Sequence, residues 1–112
     1  MDIYQGETVI IKIKPKLDGT YYTLTANDVI KFGVKSNVED ENFIINKTLT
    51  SSNYNSTYDS YILELSAAET EEIIAADYVY DIGLKIGNTS SANYFYLIKP
   101  TLFRVIGTVT KK

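Results

Sequence analysis

No cysteine, no histidine and no tryptophan occur among the 112 residues of this chain, and proline occurs only twice. Without cysteine there are no disulfide staples, thiolate nucleophiles or thiolate-bound zinc. Without histidine the chain lacks the commonest general base, the commonest transition-metal ligand and any Ser-His-Asp arrangement. Arginine is nearly missing as well, Arg104 being the only guanidinium. The ten lysines are dispersed and the net charge is −3. No nucleic acid and no membrane is therefore expected as a partner, because both need clustered cations. The apolar runs are a few residues long, far below the ~20 of a spanning helix. Met1-Asp2-Ile3-Tyr4-Gln5-Gly6-Glu7 has neither the basic start nor the apolar stretch of a signal peptide. A protein made in a cytoplasm that stays soluble is expected.

What the chain has instead is ten tyrosines, twelve threonines, fourteen isoleucines and seven valines, the residues of β-sheets. The length suits one domain over 1–112. Alternation places Val9, Ile11 and Ile13 on one face of a strand that ends at Pro15, and Asp18-Gly19 makes a turn. Tyr21–Thr25 is a short extended segment. Ile30, Phe32 and Val34 point inward from Val29–Lys35. Further strands are predicted over Phe43–Thr50, Asp59–Leu65 and Tyr78–Ile86, with Ser51–Thr57 as a loop and Gly87–Ala92 as a hairpin loop. Asn93–Lys99 and Thr101–Val109 read as two last strands separated at Pro100. Ser66-Ala67-Ala68-Glu69 is a capping box, so a short helix follows Leu65, held by packing of Ile73 and Ile74. Seven to eight short strands with frequent turns predict an all-β, two-sheet antiparallel sandwich.

Little in this pattern carries chemistry. Gly83 and Gly87 fit no phosphate-binding motif. The acidic groups Glu39-Asp40-Glu41 and Glu69/Glu71/Glu72 read as solvated faces, without the spacing of a calcium loop. No catalytic residue, metal or cofactor is expected, and the chain is read as not an enzyme. The tyrosines are the stronger candidates, since aromatic rings stack on sugars and anchor protein interfaces. Tyr61, Tyr78 and Tyr80 fall on inward faces. Tyr21, Tyr22, Tyr54 and Tyr58 lie in loops or at strand ends and form a candidate glycan contact. Tyr94, Phe95, Tyr96 and Leu97 belong to a run that is apolar on both faces, so either another part of the chain or a partner must cover it. They form the candidate interface.

Two stretches carry a family resemblance. The short helical corner followed by Ala76-Asp77-Tyr78-Val79-Tyr80 resembles the E–F corner of immunoglobulin-like domains. There a tyrosine near the start of strand F bonds back to the corner; Tyr78 takes that role, and Tyr80 the position of the antibody-type disulfide cysteine. Leu65-Ser66-Ala67-Ala68-Glu69-Thr70 with Tyr78-Val79-Tyr80-Asp81-Ile82 is similar to a signature of Ig-like modules in phage and prophage tail proteins. These include N-terminal domains of baseplate upper proteins and small virion proteins. Ala76-Asp77 replaces the usual glycine before the first tyrosine. The resemblance implies a non-enzymatic structural or assembly module of a virion, in the tail, baseplate or neck. It would be made in the bacterial cytoplasm and dock onto other virion proteins or into a homo-oligomer. The alternative is a carbohydrate-binding module contacting host-surface glycans through the loop tyrosines.

Overall fold

Alternating apolar residues produce the strands, and turn chemistry separates them. The computed structural model describes residues 1–87 and 93–110. The expected hairpin at Gly87–Ala92, apart from Gly87, lies outside them. Its strands are β1 (Asp2–Tyr4), β2 (Val9–Ile13), β3 (Lys16–Leu17), β4 (Thr20–Tyr21), β5 (Val29–Lys35), β6 (Ile45–Leu49), β7 (Tyr54–Asn55), β8 (Ser60–Leu65), β9 (Ala76–Ile86) and β10 (Asn93–Ile106). A single helix, α1 (Ala67–Glu71), stands between β8 and β9. The fold is all-β. One sheet has the order β1-β10-β9-β5-β6, a second the order β2-β8-β7, and β3-β4 form a separate hairpin. β1 runs parallel to β10, and the other neighbours are antiparallel. Among the described residues no helix is long and apolar enough to cross a membrane.

The strand count differs from seven to eight for physical reasons. Asp18 and Gly19 both adopt positive φ, 50° and 81°, which closes the two-residue hairpin β3-β4. Within the expected loop 51–57, a 3-10 turn at Ser51–Asn53 leads into the two-residue β7. The last two expected strands are one. β10 runs straight through Pro100, with register irregularities against β9 between Tyr96 and Ile98 and between Ile98 and Thr101. Pro100 sits in the second of these bulges, where its missing N–H removes no ladder bond.

The inner faces of the two large sheets enclose the core. Ile30, Phe32 and Val34 of β5 are fully buried, as are Leu84 of β9 and Phe103 of β10, and Tyr61, Leu63 and Leu65 of β8 close the other side. At the centre the rings of Phe32, Tyr80 and Phe103 meet edge to face or tilted, with centroids 5.7–6.3 Å apart. Burial pushes the Tyr80 hydroxyl above its ordinary pKa.

The corner between β8 and β9 is built by local hydrogen bonds. Ser66 Oγ accepts from the Glu69 amide (3.1 Å), and Glu69 Oε1 accepts from the Ser66 amide (3.0 Å). Buried Thr70 donates its hydroxyl to the Glu7 carbonyl (2.7 Å), tying α1 to the start of the chain. Of the two isoleucines expected to hold the helix, only Ile73 packs into the core; Ile74 is 78% exposed. Both lie beyond the helix, which ends at Glu71, where the chain turns toward β9 and only one of two successive side chains can face the core. The Ile74 carbonyl has another use, accepting the Tyr78 hydroxyl at 2.6 Å.

Candidate functional site

The N-terminal half of β10 has apolar side chains that remain outside. Tyr94, Phe95 and Tyr96 are 42%, 41% and 56% exposed, Ile98 is 36% exposed, and Leu97 is half-buried. Their faces follow from register. Tyr94 pairs with Lys85 and Tyr96 with Gly83 on the outer face, whereas Phe95 pairs with fully buried Leu84 and points to the inner side. Phe95 is exposed nonetheless, two residues from the start of the strand. Leu97 turns toward Ile82, Ile11 and Ile13, along a small apolar slot of about 190 Å³ between β10 and β2.

Two glycines shape the outer face. The Tyr94 ring lies across Gly83, so a Cβ at that position would overlap the ring. On the next strand Phe43 lies across Gly33, and a Cβ there would stand 2.6 Å from Phe43 Cε1. Tyr94 and Tyr96 pack edge to face at 5.2 Å, and the Lys35 ammonium sits 4.6 Å from the Phe43 ring centroid. Between the two aromatic groups runs a groove of about 380 Å³ with Asp81 in its wall. Burial raises the Asp81 carboxyl above its usual range, partly offset by Lys35, and burial also raises the Tyr94 hydroxyl. The arrangement supplies flat aromatic surface, a few polar groups and a strand edge that no other described strand covers. Those are means of holding another molecule, with no nucleophile–base pair among them.

The four tyrosines of the candidate glycan contact separate into two groups. Tyr22 donates its hydroxyl to Asp28 Oδ2 at 2.5 Å, and its pKa is pushed up to about 12, mainly by that bond. Asp28 is 1% exposed and also accepts from the Thr25 amide (2.8 Å), the Thr25 hydroxyl (3.0 Å) and the Gly87 amide (3.0 Å). Burial alone would raise its carboxyl, but these four hydrogen bonds outweigh it and hold the pKa below the ordinary value. Tyr22 thus belongs to a structural latch joining the β4–β5 loop to the end of β9. Tyr21, Tyr54 and Tyr58 come together on a different surface. Tyr54 donates its hydroxyl to Asp59, which pairs with Lys14 at 2.7 Å; the Lys14 ammonium lies 4.3 Å from the Tyr21 ring, and Lys12 lies 3.9 Å from that of Tyr58. The paired Lys14 and Tyr54 hold the Asp59 carboxyl low, and the Asp59 bond raises Lys14.

Of the acidic groups, Glu69 caps α1 and pairs with Lys47 at 2.5 Å, and these contacts lower its pKa. Nothing in the residue pattern directly marks Phe43 as a neighbour of Tyr94 and Tyr96. The available signal was Gly33 and Gly83, glycines in strand interiors, which mark close approach by another group. No known family model matches this chain, and no curated protein matches it.

Proposed function

We propose that this chain is an Ig-like structural module of a phage or prophage virion, in the tail, baseplate or neck, and that it works by protein–protein docking. The Ig-like reading is supported by the strand order, with β1 parallel to β10 in one sheet and β2-β8-β7 opposite. It is also supported by the helical corner whose Tyr78 hydroxyl returns to the Ile74 carbonyl. The virion assignment rests on the corner signature in the sequence. The observation that carries docking is the exposed run from Tyr94 to Ile98, the kind of apolar strand that a lone soluble protein normally covers or charges.

Docking here needs no moving part. Tyrosines present large, rigid surfaces at small entropic cost, and the underlying strand is fixed to β9. The test is proteomic and structural together. Purified phage particles from the source bacterium should contain the chain, and Tyr94→Ser/Tyr96→Ser should fold normally yet drop out of them. Particles lacking the wild-type chain, or incorporating the double variant equally, would refute the reading. A second reading, glycan binding, draws on the gathering of Tyr21, Tyr54 and Tyr58. It is the weaker one because lysines already occupy the faces of two of these rings and Asp59 takes the third hydroxyl.

A further inference from the structure

β10 is fourteen residues long, but β1 covers only Arg104–Ile106. The Met1 ammonium adds a bond to the Leu102 carbonyl at 2.9 Å, and there the cover ends. Among the described residues no strand lies on the outer side of Asn93–Lys99. The β1 contacts also fix which main-chain groups face outward. Arg104 donates its N–H to the Met1 carbonyl, and the carbonyls of Leu102 and Ile106 accept from Met1, just before β1, and Gln5, just after it, so even-numbered residues turn toward this edge. Each of the two bulges inserts one residue, which together preserve that parity. The N–H and C=O groups of Tyr94 and Tyr96 therefore point out of the sheet.

The other described edges are blunted in familiar ways. β6 carries Lys47, β2 carries Lys12, and β7 and β1 are two and three residues long. From Asn93 to Ile98, by contrast, there is neither a charge nor a proline.

We propose that a second copy of this chain covers this edge, pairing antiparallel about a two-fold axis at Phe95. This rests on the reading of Tyr94–Leu97 as a contact surface and names its occupant. In that register Phe95 faces Phe95, Tyr94 of each copy faces Tyr96 of the other, and Asn93 faces Leu97. The faces agree, because Tyr94 and Tyr96 share the outer side while Asn93, Phe95 and Leu97 share the inner one. The outward main-chain groups of Tyr94 and Tyr96 meet as hydrogen-bonded pairs, leaving Phe95 at a non-hydrogen-bonded position on the axis. No charged side chain lies within the overlap, and Lys99 falls beyond it, so the strand is complementary to itself in charge as well as in face. The five-stranded sheets then join into a continuous one across the dimer.

The absence of native cysteine makes the register directly testable. At a non-hydrogen-bonded antiparallel pair the Cα atoms stand about 4.5 Å apart, within the range a disulfide accepts. The full-length Phe95→Cys chain should therefore cross-link into a dimer on mild oxidation, while Tyr96→Cys stays mostly monomeric. Wild-type protein should sediment as a dimer. Phe95→Lys and Phe95→Glu should each be monomeric, and their mixture should recover the dimer. A wild-type monomer at millimolar concentration, an uncross-linked Phe95→Cys, or charge variants that dimerise alone would overturn the proposal. Should a charge variant misfold, the cysteine pair still decides. A monomer that enters phage particles would remove self-pairing and leave docking standing; a dimer absent from particles would do the reverse.

Discussion

The two halves of β10 share one backbone and one sequence style yet meet opposite fates. In the C-terminal half, Phe103 and Val105 are buried between β1, β9 and the opposing sheet, and exposed Arg104 pairs with Asp77 at 2.9 Å. In the N-terminal half, Tyr94, Phe95 and Tyr96 have comparable apolar bulk but stay exposed. Hydrophobicity alone does not separate them: Phe103 and Val105 point into the core, Tyr94 and Tyr96 point to the outer face, and only the C-terminal half has a strand on its outer edge. The three-residue β1 covers the main-chain edge of Arg104–Ile106, and its brevity leaves the edge of the other half without a described strand beside it.

The sharpest way to break this comparison is to truncate both phenylalanines. Phe103→Ala should destabilise the fold by about 3–5 kcal/mol, the usual loss for a large buried ring. Phe95→Ala should stay within about 1 kcal/mol in the monomer, as for an exposed site. Chemical denaturation measures both, and equal losses would mean that the halves are energetically alike.

Next in size is the latch at the end of β9, which ties Gly87 to the β4–β5 loop through the Asp28–Gly87 bond. Asp28→Ala leaves the Thr25 and Gly87 amides and the Tyr22 hydroxyl without their acceptor, and should cost about 2–4 kcal/mol. The sign of the pH effect follows from the lowered carboxyl. The latch contributes fully above the ordinary aspartate pKa of about 3.9, and its contribution is lost as pH falls through the lower folded-state value. Stability measured from pH 6 down to 2 should fall more steeply in wild type than in Asp28→Ala; parallel curves would count against it.

The smallest expected effect concerns the outer face itself. Gly83→Ala forces the Tyr94 ring off the sheet and should lose about 1–3 kcal/mol, as overpacked sites do. Adding Tyr94→Ser should recover most of that loss, a non-additivity specific to this contact. If the double variant is as unstable as the sum of the singles, Tyr94 is not what Gly83 accommodates.

Much of the scaffold was legible because alternation reports local backbone. β5 has its predicted limits, and the inward sets Ile30/Phe32/Val34 and Tyr61/Leu63/Leu65 are all buried. The capping box at Ser66 follows from residue spacing alone. What was illegible depends on neighbours distant in sequence. Pro100 reads as a break unless the bulge against β9 is known, and Ile74 reads as core until the direction of the corner is fixed. Tyr22 looks like its exposed neighbour Tyr21, and only the position of Asp28 turns it into a structural residue. For the exposed run, sequence identified two-faced apolarity. It carried no information on where β1 stops, because that is set by pairing across 101 positions of chain between Met1 and Leu102.

The parallel direction of β1 has a practical consequence. Asp2 lies beside Arg104 and Ile3 beside Val105, so the chain upstream of Met1 points along β10 toward Asn93. Any peptide joined ahead of Met1 is fed alongside the uncovered backbone of Tyr94 and Tyr96 and competes there as an intramolecular strand. A purification tag at the amino end would thus act as a plug.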